Sequence, residues 1–335
     1  MPEKSFLSIV TPTRGNFSDY WLEQLLNVRG DLEFVLVYYP GVPIKAIADT
    51  RVKTIVSPYK GEMMQRFLGF LNATGEYVLA LDDDDFVHPN ILELAKGYFQ
   101  KFPESWVLRL KSNKIDQNEP EKVKAEWPPI PDLNSLKVLD RSTPETRSIT
   151  LQTITIAPLE NALDWRLLIP FIGLFIVFLD RRDAEGNPIT KRRDARGPHI
   201  ENFNNKIWNN SMLQQILPEI SRSTKILGSL TWVPSSAFDR LVGLFFQAYF
   251  YQKESAIGHW MPDPEQIRFV DKDPKLKPPR FHVASDFLLI KYFPQYGYFW
   301  NLFLFSFYGS FRALGKLMKW KLTKKKVGTQ KINLI

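Results

Sequence analysis

The sequence predicts an α/β protein in which a mostly parallel sheet is flanked by helices and followed by C-terminal amphipathic, aromatic helices. Two observations carry this. Over the first hundred residues, short apolar runs alternate with segments of helical spacing across short turns, the pattern of a parallel sheet covered on both faces. Near residue 290 the composition becomes rich in aromatic and basic residues and loses every Asp and Glu.

The elements follow in order. Phe6-Leu7-Ser8-Ile9-Val10-Thr11 reads as a buried strand, closed by the turn Pro12-Thr13-Arg14-Gly15. Asp19 to Val28 has helical spacing, with Trp21, Leu22, Leu25 and Leu26 on one face. Leu32 to Tyr38 is a second strand ending at Pro40-Gly41, and Arg51 to Val56 a short third. A helix from Gly61 to Ala73 stops at Thr74-Gly75. Tyr77-Val78-Leu79-Ala80-Leu81 is the next strand, and a helix runs from Pro89 to about Phe99.

Beyond residue 110 the pattern weakens. Residues 118–146 are rich in Pro and charge and read as an extended loop. Leu167 to Leu179 is strongly apolar but shorter than the roughly 20 residues that span a bilayer. A buried strand is the favoured expectation there, an interface contact the alternative. Asp183-Ala184-Glu185-Gly186-Asn187 has hairpin-turn composition, and helices are expected near 204–217 and 236–251. The implied organisation is 1–110, a 111–150 insertion, 151–290, and a 291–335 tail.

The strand at Tyr77 runs straight into Asp82-Asp83-Asp84-Asp85. Adjacent carboxylates raise one another's proton affinity, so the crowding makes sense around a strongly cationic partner. Mn²⁺ or Mg²⁺ fits, because both take hard oxygen ligands and are commonly shared with substrate phosphates. The carboxyl end of a sheet strand is also where open α/β sheets bind ligands. The plain alternative is a solvated acidic turn before the next helix.

Composition narrows the classes. An apolar content of 44% supports a packed core, and zero cysteines exclude disulfides, thiolate metal sites and a cysteine nucleophile. The opening Met1-Pro2-Glu3-Lys4-Ser5 has no signal-peptide character, which fits a cytoplasmic location. The net charge is +8, yet residues 287–335 hold nine Lys and Arg and no acid, leaving the rest near −1. Basicity confined to one end argues against nucleic-acid binding. Tyr296 to Phe311 is crowded with aromatic residues, and Leu314, Leu317, Met318 and Leu322 share one face beyond it. Aromatic rings favour the headgroup region and lysines are drawn to anionic lipid, so the tail is expected on the inner face of a membrane.

Residues 5 to about 95 resemble the nucleotide-binding half of family 2 glycosyltransferases of the GT-A fold. The resemblance rests on Ser8 to Gly15, on the glycine–arginine helix Gly61 to Gly69, and above all on Ala73-Thr74-Gly75-Glu76-Tyr77 through Asp85. It implies a GT-A-like fold and a metal-dependent, inverting transfer from a nucleotide-sugar, and the membrane-directed tail adds the expectation of a lipid, lipid-linked or polysaccharide acceptor. Asp82 and Asp84 would hold the metal on the donor diphosphate, with Asp83 beside them. Arg14 and Arg66 would lie near the phosphates, and Thr11 and Pro12 would wall the base. Tyr38 and Tyr39 stand where the family has an acidic pair. Asp263, in Pro262-Asp263-Pro264-Glu265, is the nearest counterpart of the family's general base, with Asp286 its rival, and His282 would sit near the metal. The rival class is a non-catalytic membrane scaffold on the same fold. A nucleotidyltransferase is disfavoured because Thr11-Pro12-Thr13-Arg14-Gly15 is not a glycine- and lysine-rich phosphate loop.

Overall fold

The computed structural model describes residues 5–116, 118–140, 149–179, 199–224, 235–253, 255–271 and 282–326. The hairpin turn expected at 183–187 lies outside them. The chain runs β1 (Leu7–Thr13), α1 (Asp19–Leu26), β2 (Leu32–Tyr38), β3 (Val52–Val56), α2 (Glu62–Asn72), β4 (Tyr77–Ala80), β5 (Asp85–Val87) and α3 (Ile91–Lys101). It continues through β6 (Val107–Arg109), β7 (Ser112–Asp116), β8 (Lys137–Leu139), β9 (Thr150–Thr155), α4 (Pro170–Leu179), β10 (Lys206–Asn209) and α5 (Asn210–Thr224). The last elements are α6 (Ser235–Tyr249), β11 (Ala256–Trp260), β12 (Ile267–Asp271), α7 (Val283–Tyr292) and α8 (Gly297–Lys326).

Nine strands form the main sheet in the order β3-β2-β1-β4-β10-β6-β11-β9-β8, and β5-β12-β7 form a smaller one. The four strands from β3 to β4 are all parallel. Strand β10 then enters antiparallel to both β4 and β6. Alternating side chains supply two cores. Val10, Val35, Val78, Trp208 and Val107 face α2, α5 and α6, while Ile9, Phe34, Leu79, Ile207 and Leu108 face α1 and α3. The β4 strand is buried throughout, which is why it reads as a continuous apolar run.

Two expectations are corrected. The segment from Asn204 opens as a strand, and the helix begins only at Asn210. The apolar run at Leu167 is no buried strand. It passes through a 3₁₀ turn (Trp165–Leu168) into α4, where Pro170 takes the first helical position, the place where a helix tolerates a missing N–H. Although Leu167 and Val177 are buried, Phe171 is 87% exposed, with Trp165 and Phe175 each at 65%. The tail begins as expected in a helix, and α8 packs on α7 and α4. Tyr308 donates to the Leu167 carbonyl at 2.8 Å and lies against Gly173.

Candidate functional site

The site is built at the carboxyl ends of β1, β4 and β6 and the amino end of the antiparallel β10. Strand β4 ends at Ala80, and its neighbour β1 takes the Leu81 N–H on the Val10 carbonyl, so Asp82 emerges at the sheet edge. The turn Asp82–Asp84 carries the chain into β5, which starts at Asp85 and pairs with β12. The four aspartates therefore split into different roles. Asp82, Asp84 and Asp85 each bring a carboxylate oxygen within 4.8 Å of the others. Asp83 turns toward β1, where the Thr13 hydroxyl donates to it at 2.7 Å. Burial pushes the carboxyls of Asp83 and Asp85 upward, and for Asp85 the charges of Asp82 and Asp84 push the same way. Three hard carboxylates so placed, one buried, one half-buried and one exposed, fit a divalent cation such as Mg²⁺ or Mn²⁺.

Helix α2 supplies the counter-charge. It lies tight on β1 because residue 69 is glycine; a Cβ there would come within 2.3 Å of the Val10 side chain. That approach buries Arg66 almost completely. Its Nη2 donates to Asp82 Oδ1, and its Nη1 lies 3.3 Å from Asn204 Oδ1 and 3.7 Å from Asp239 Oδ1. Burial alone would lower the guanidinium's proton affinity, but Asp239, Asp82 and Glu62 outweigh it and the net shift is upward. Asn204 also donates to Asp82 Oδ2 at 3.3 Å.

The sequence reading missed Asp239. It sits in the first half of α6, buried on the far side of Arg66 from Asp82, and its Oδ1 accepts no hydrogen bond among the described residues. Burial pushes its carboxyl up to about 6, against the pull of Arg66. Ser236-Ala237-Phe238-Asp239-Arg240 carries no local motif that the reading above weighed. Only the packing of α6 onto α2 and the sheet reveals this acid.

The remaining expected residues fall as follows. Thr11 and Pro12 are buried at the end of β1, and the Thr11 hydroxyl has no partner among the described residues. Arg14 is exposed, and its backbone supports Asp83. Tyr38 is fully covered and packs edge-on against Phe17, so Tyr39, half-buried beside it, has the more accessible ring. Asp263 lies on the loop after β11, half-exposed, and accepts from Lys111 Nζ at 2.9 Å. Asp286 is 0% exposed in α7, where it accepts from Ser306 and lies 3.6 Å from Arg240 Nε. This carboxylate is packed between α7, α8 and Arg240. His282 caps the start of α7 instead of lying on a strand. Among the described residues the metal-competent group is Asp82, Asp84 and Asp85, without it.

The site is thus an acidic edge on a parallel stretch of α/β sheet, with a buried arginine that also meets a second acid. Residues 42–153 match the sequence model of Glycosyl transferase family 2. No curated protein matches the chain by sequence. Among solved structures, S. aureus TarS 1–349 in complex with UDP-GlcNAc is similar at 14% identity and a TM-score of 0.46, covering 86% of this chain and 66% of that one. The same protein in complex with UDP gives 14% and 0.43, covering 86% and 70%. The chain thus spans just under two thirds of the first of these relatives.

Proposed function

We propose that the protein is a metal-dependent, inverting glycosyltransferase that moves a sugar from a nucleotide-sugar to a lipid, lipid-linked or glycan acceptor at a membrane surface. The observation that carries this reading is the opposition of Asp82, Asp84 and Asp85 to Asp239 across the buried Arg66. Asp82, Asp84 and Asp85 would hold Mn²⁺ or Mg²⁺, which neutralises the departing diphosphate. Asp239 is the candidate general base in place of Asp263 and Asp286. A carboxyl raised to about 6 ionises at neutral pH yet keeps a useful affinity for the acceptor proton. Arg66 holds the two acids apart in charge and screens one from the other. Thr11, Pro12 and Tyr39 line the edge where a base would lie.

The membrane part of the reading is supported by the outer face of α4 and α8. Phe171, Phe175, Trp165 and Leu168 are exposed together, as are Phe307, Phe311 and Leu314 on the neighbouring helix. Each such side chain, fully withdrawn from water, contributes roughly 1.5–3 kcal/mol. The lysines of the tail add about 1 kcal/mol each near anionic lipid. No helix among the described residues is long and apolar enough to cross a membrane. A face lying in the headgroup layer meets that constraint.

The test is hydrolysis and transfer from UDP-, GDP- and dTDP-sugars, with and without Mn²⁺, for the wild type and Asp84→Ala. Metal-dependent turnover of one donor, lost in the variant, is expected. Absence of both turnover and metal-dependent nucleotide binding would leave the scaffold reading.

A further inference from the structure

The acceptor side of the sheet holds two cations that the transfer reaction described above does not use. Lys206, Arg109, Trp260 and Gln152 are direct cross-strand neighbours on β10, β6, β11 and β9. The first three share the sheet face of Trp208 and Val107, on which α6 and Asp239 sit. The Arg109 guanidinium lies over the Trp260 ring, 3.6 Å from its centroid. Lys206 is buried, and its Nζ makes one hydrogen bond, to the Asn204 carbonyl at 2.8 Å. Among the described residues neither cation forms an ion pair with a carboxylate. Burial, with Arg109 as neighbour, pulls the Lys206 ammonium down to about 7 against a weaker upward pull from Asp239, and burial pulls Arg109 down to about 10.

Two adjacent, desolvated like charges cost folding free energy and add nothing to the core. They are explained by an anion that arrives from outside. Stacking on Trp260 fixes the plane of the guanidinium and leaves its N–H edge free, the arrangement that grips a tetrahedral oxyanion through two parallel bonds. The donor's own diphosphate is not that anion. Lys206 lies on β10, one strand spacing from the aspartate-bearing β4, while Arg109 lies on β6, two spacings or about 10 Å away, so a group gripped by the guanidinium sits beyond the acidic edge.

We propose that Lys206, Arg109 and Trp260 form a subsite for a phosphoryl group carried by the acceptor. The proposal rests on the transferase reading for the word acceptor, but the anion site itself stands or falls separately. A phosphate ester, whether in a soluble acceptor or in a lipid headgroup, supplies the charge the two cations lack.

The experiment is calorimetric titration of the full chain with glycerol 3-phosphate, with glycerol and malonate as controls, in wild type, Arg109→Gln and Lys206→Gln. Vesicles containing phosphatidic acid form a second arm, because the tail is common to all three proteins. UDP binding with Mn²⁺ is measured in parallel. Binding of the phosphate ester that weakens at least tenfold in both variants, with UDP affinity unchanged, is the expected result. The same loss confined to the vesicle arm supports the subsite and assigns its phosphate to lipid. Equal affinity across the three proteins in both arms, no phosphate-dependent heat, or malonate binding as tightly overturns it. If wild type binds the phosphate ester but not UDP with Mn²⁺, the donor reading fails while the anion subsite stands. Should Arg109→Gln not fold, Lys206→Gln decides, since that side chain makes the single bond described.

Discussion

The two halves of the main sheet are built differently. From β3 to β4 every neighbour is parallel, and the functional groups come from consecutive turns: Thr11 to Arg14, then Asp82 to Asp85. From β10 to β8 the directions are mixed, and the chemistry is gathered from distant segments: Arg109, Lys206, Asp239 and Trp260. The contrast teaches that the aspartate edge is a local product of strand and turn, whereas the cluster around Asp239 and Arg109 exists only after the sheet has closed. Arg66 is shared by both: its Nη2 meets Asp82 and its Nη1 lies 3.7 Å from Asp239.

That division can be broken by substitution. Asp239→Asn removes the proposed base while leaving the donor edge intact, so kcat should fall by about 10²–10⁴ with donor KM little changed. A fall in both together would place Asp239 on the donor side. In the wild type, kcat/KM should decline by about tenfold per pH unit below 6, because Asp239 must be ionised to accept a proton and burial raises its carboxyl to about 6. Next in size is Asp286→Ala. It leaves Arg240 buried beside a missing charge, and loss of a buried ion-pair partner costs about 3–5 kcal/mol. A thermal melt should show that loss without a shift in the acidic limb; a shifted limb would return Asp286 to the catalytic candidates.

Smaller effects sharpen the donor half. Gly69→Ala forces α2 away from Val10, and overpacking of this kind costs typically about 1–3 kcal/mol. Because Arg66 rides on α2, the same variant should weaken UDP binding with Mn²⁺ as well as lower Tm. Unchanged nucleotide affinity would show that α2 need not sit so close. Least of all, Phe171→Ser with Phe175→Ser should change stability by no more than about 0.5 kcal/mol, since both rings are largely exposed. Its readout is sedimentation with anionic vesicles, where several-fold weaker binding is expected. Unaltered sedimentation would remove α4 from the membrane face.

What was legible follows the same line. The strands from Leu7 to Ala80 and the helix at Glu62 read directly, since each carries its own periodicity and stop signal within a dozen residues. The aspartate cluster was visible because its charges are contiguous. Splitting it, with Asp83 turned to Thr13 and Asp85 drawn into a second sheet, needed the pairing of β5 with β12. Asp239 and Lys206 were invisible because their neighbours come from α2, β4 and β6, far away in sequence. Asp286 looked available because sequence does not show that Arg240 and Ser306 close over it. The Leu167 run looked like a buried strand because an apolar segment gives no sign of whether its partner is the core or a surface outside the chain.

Strand β10 has a consequence for how this protein can diverge. It hydrogen-bonds to the aspartate strand on one edge and to the arginine strand on the other, and Asn204 and Lys206 at its start serve both flanks. Asn205 between them has a φ of 58°, which fixes where the strand begins. A one-residue slip here would turn Lys206 to the opposite face and misplace Asn204 from Asp82 in one stroke. Length changes at this seam are therefore closed to adaptation. Side chains on β6, β9 and β11 can be exchanged without moving Asn204 from Asp82.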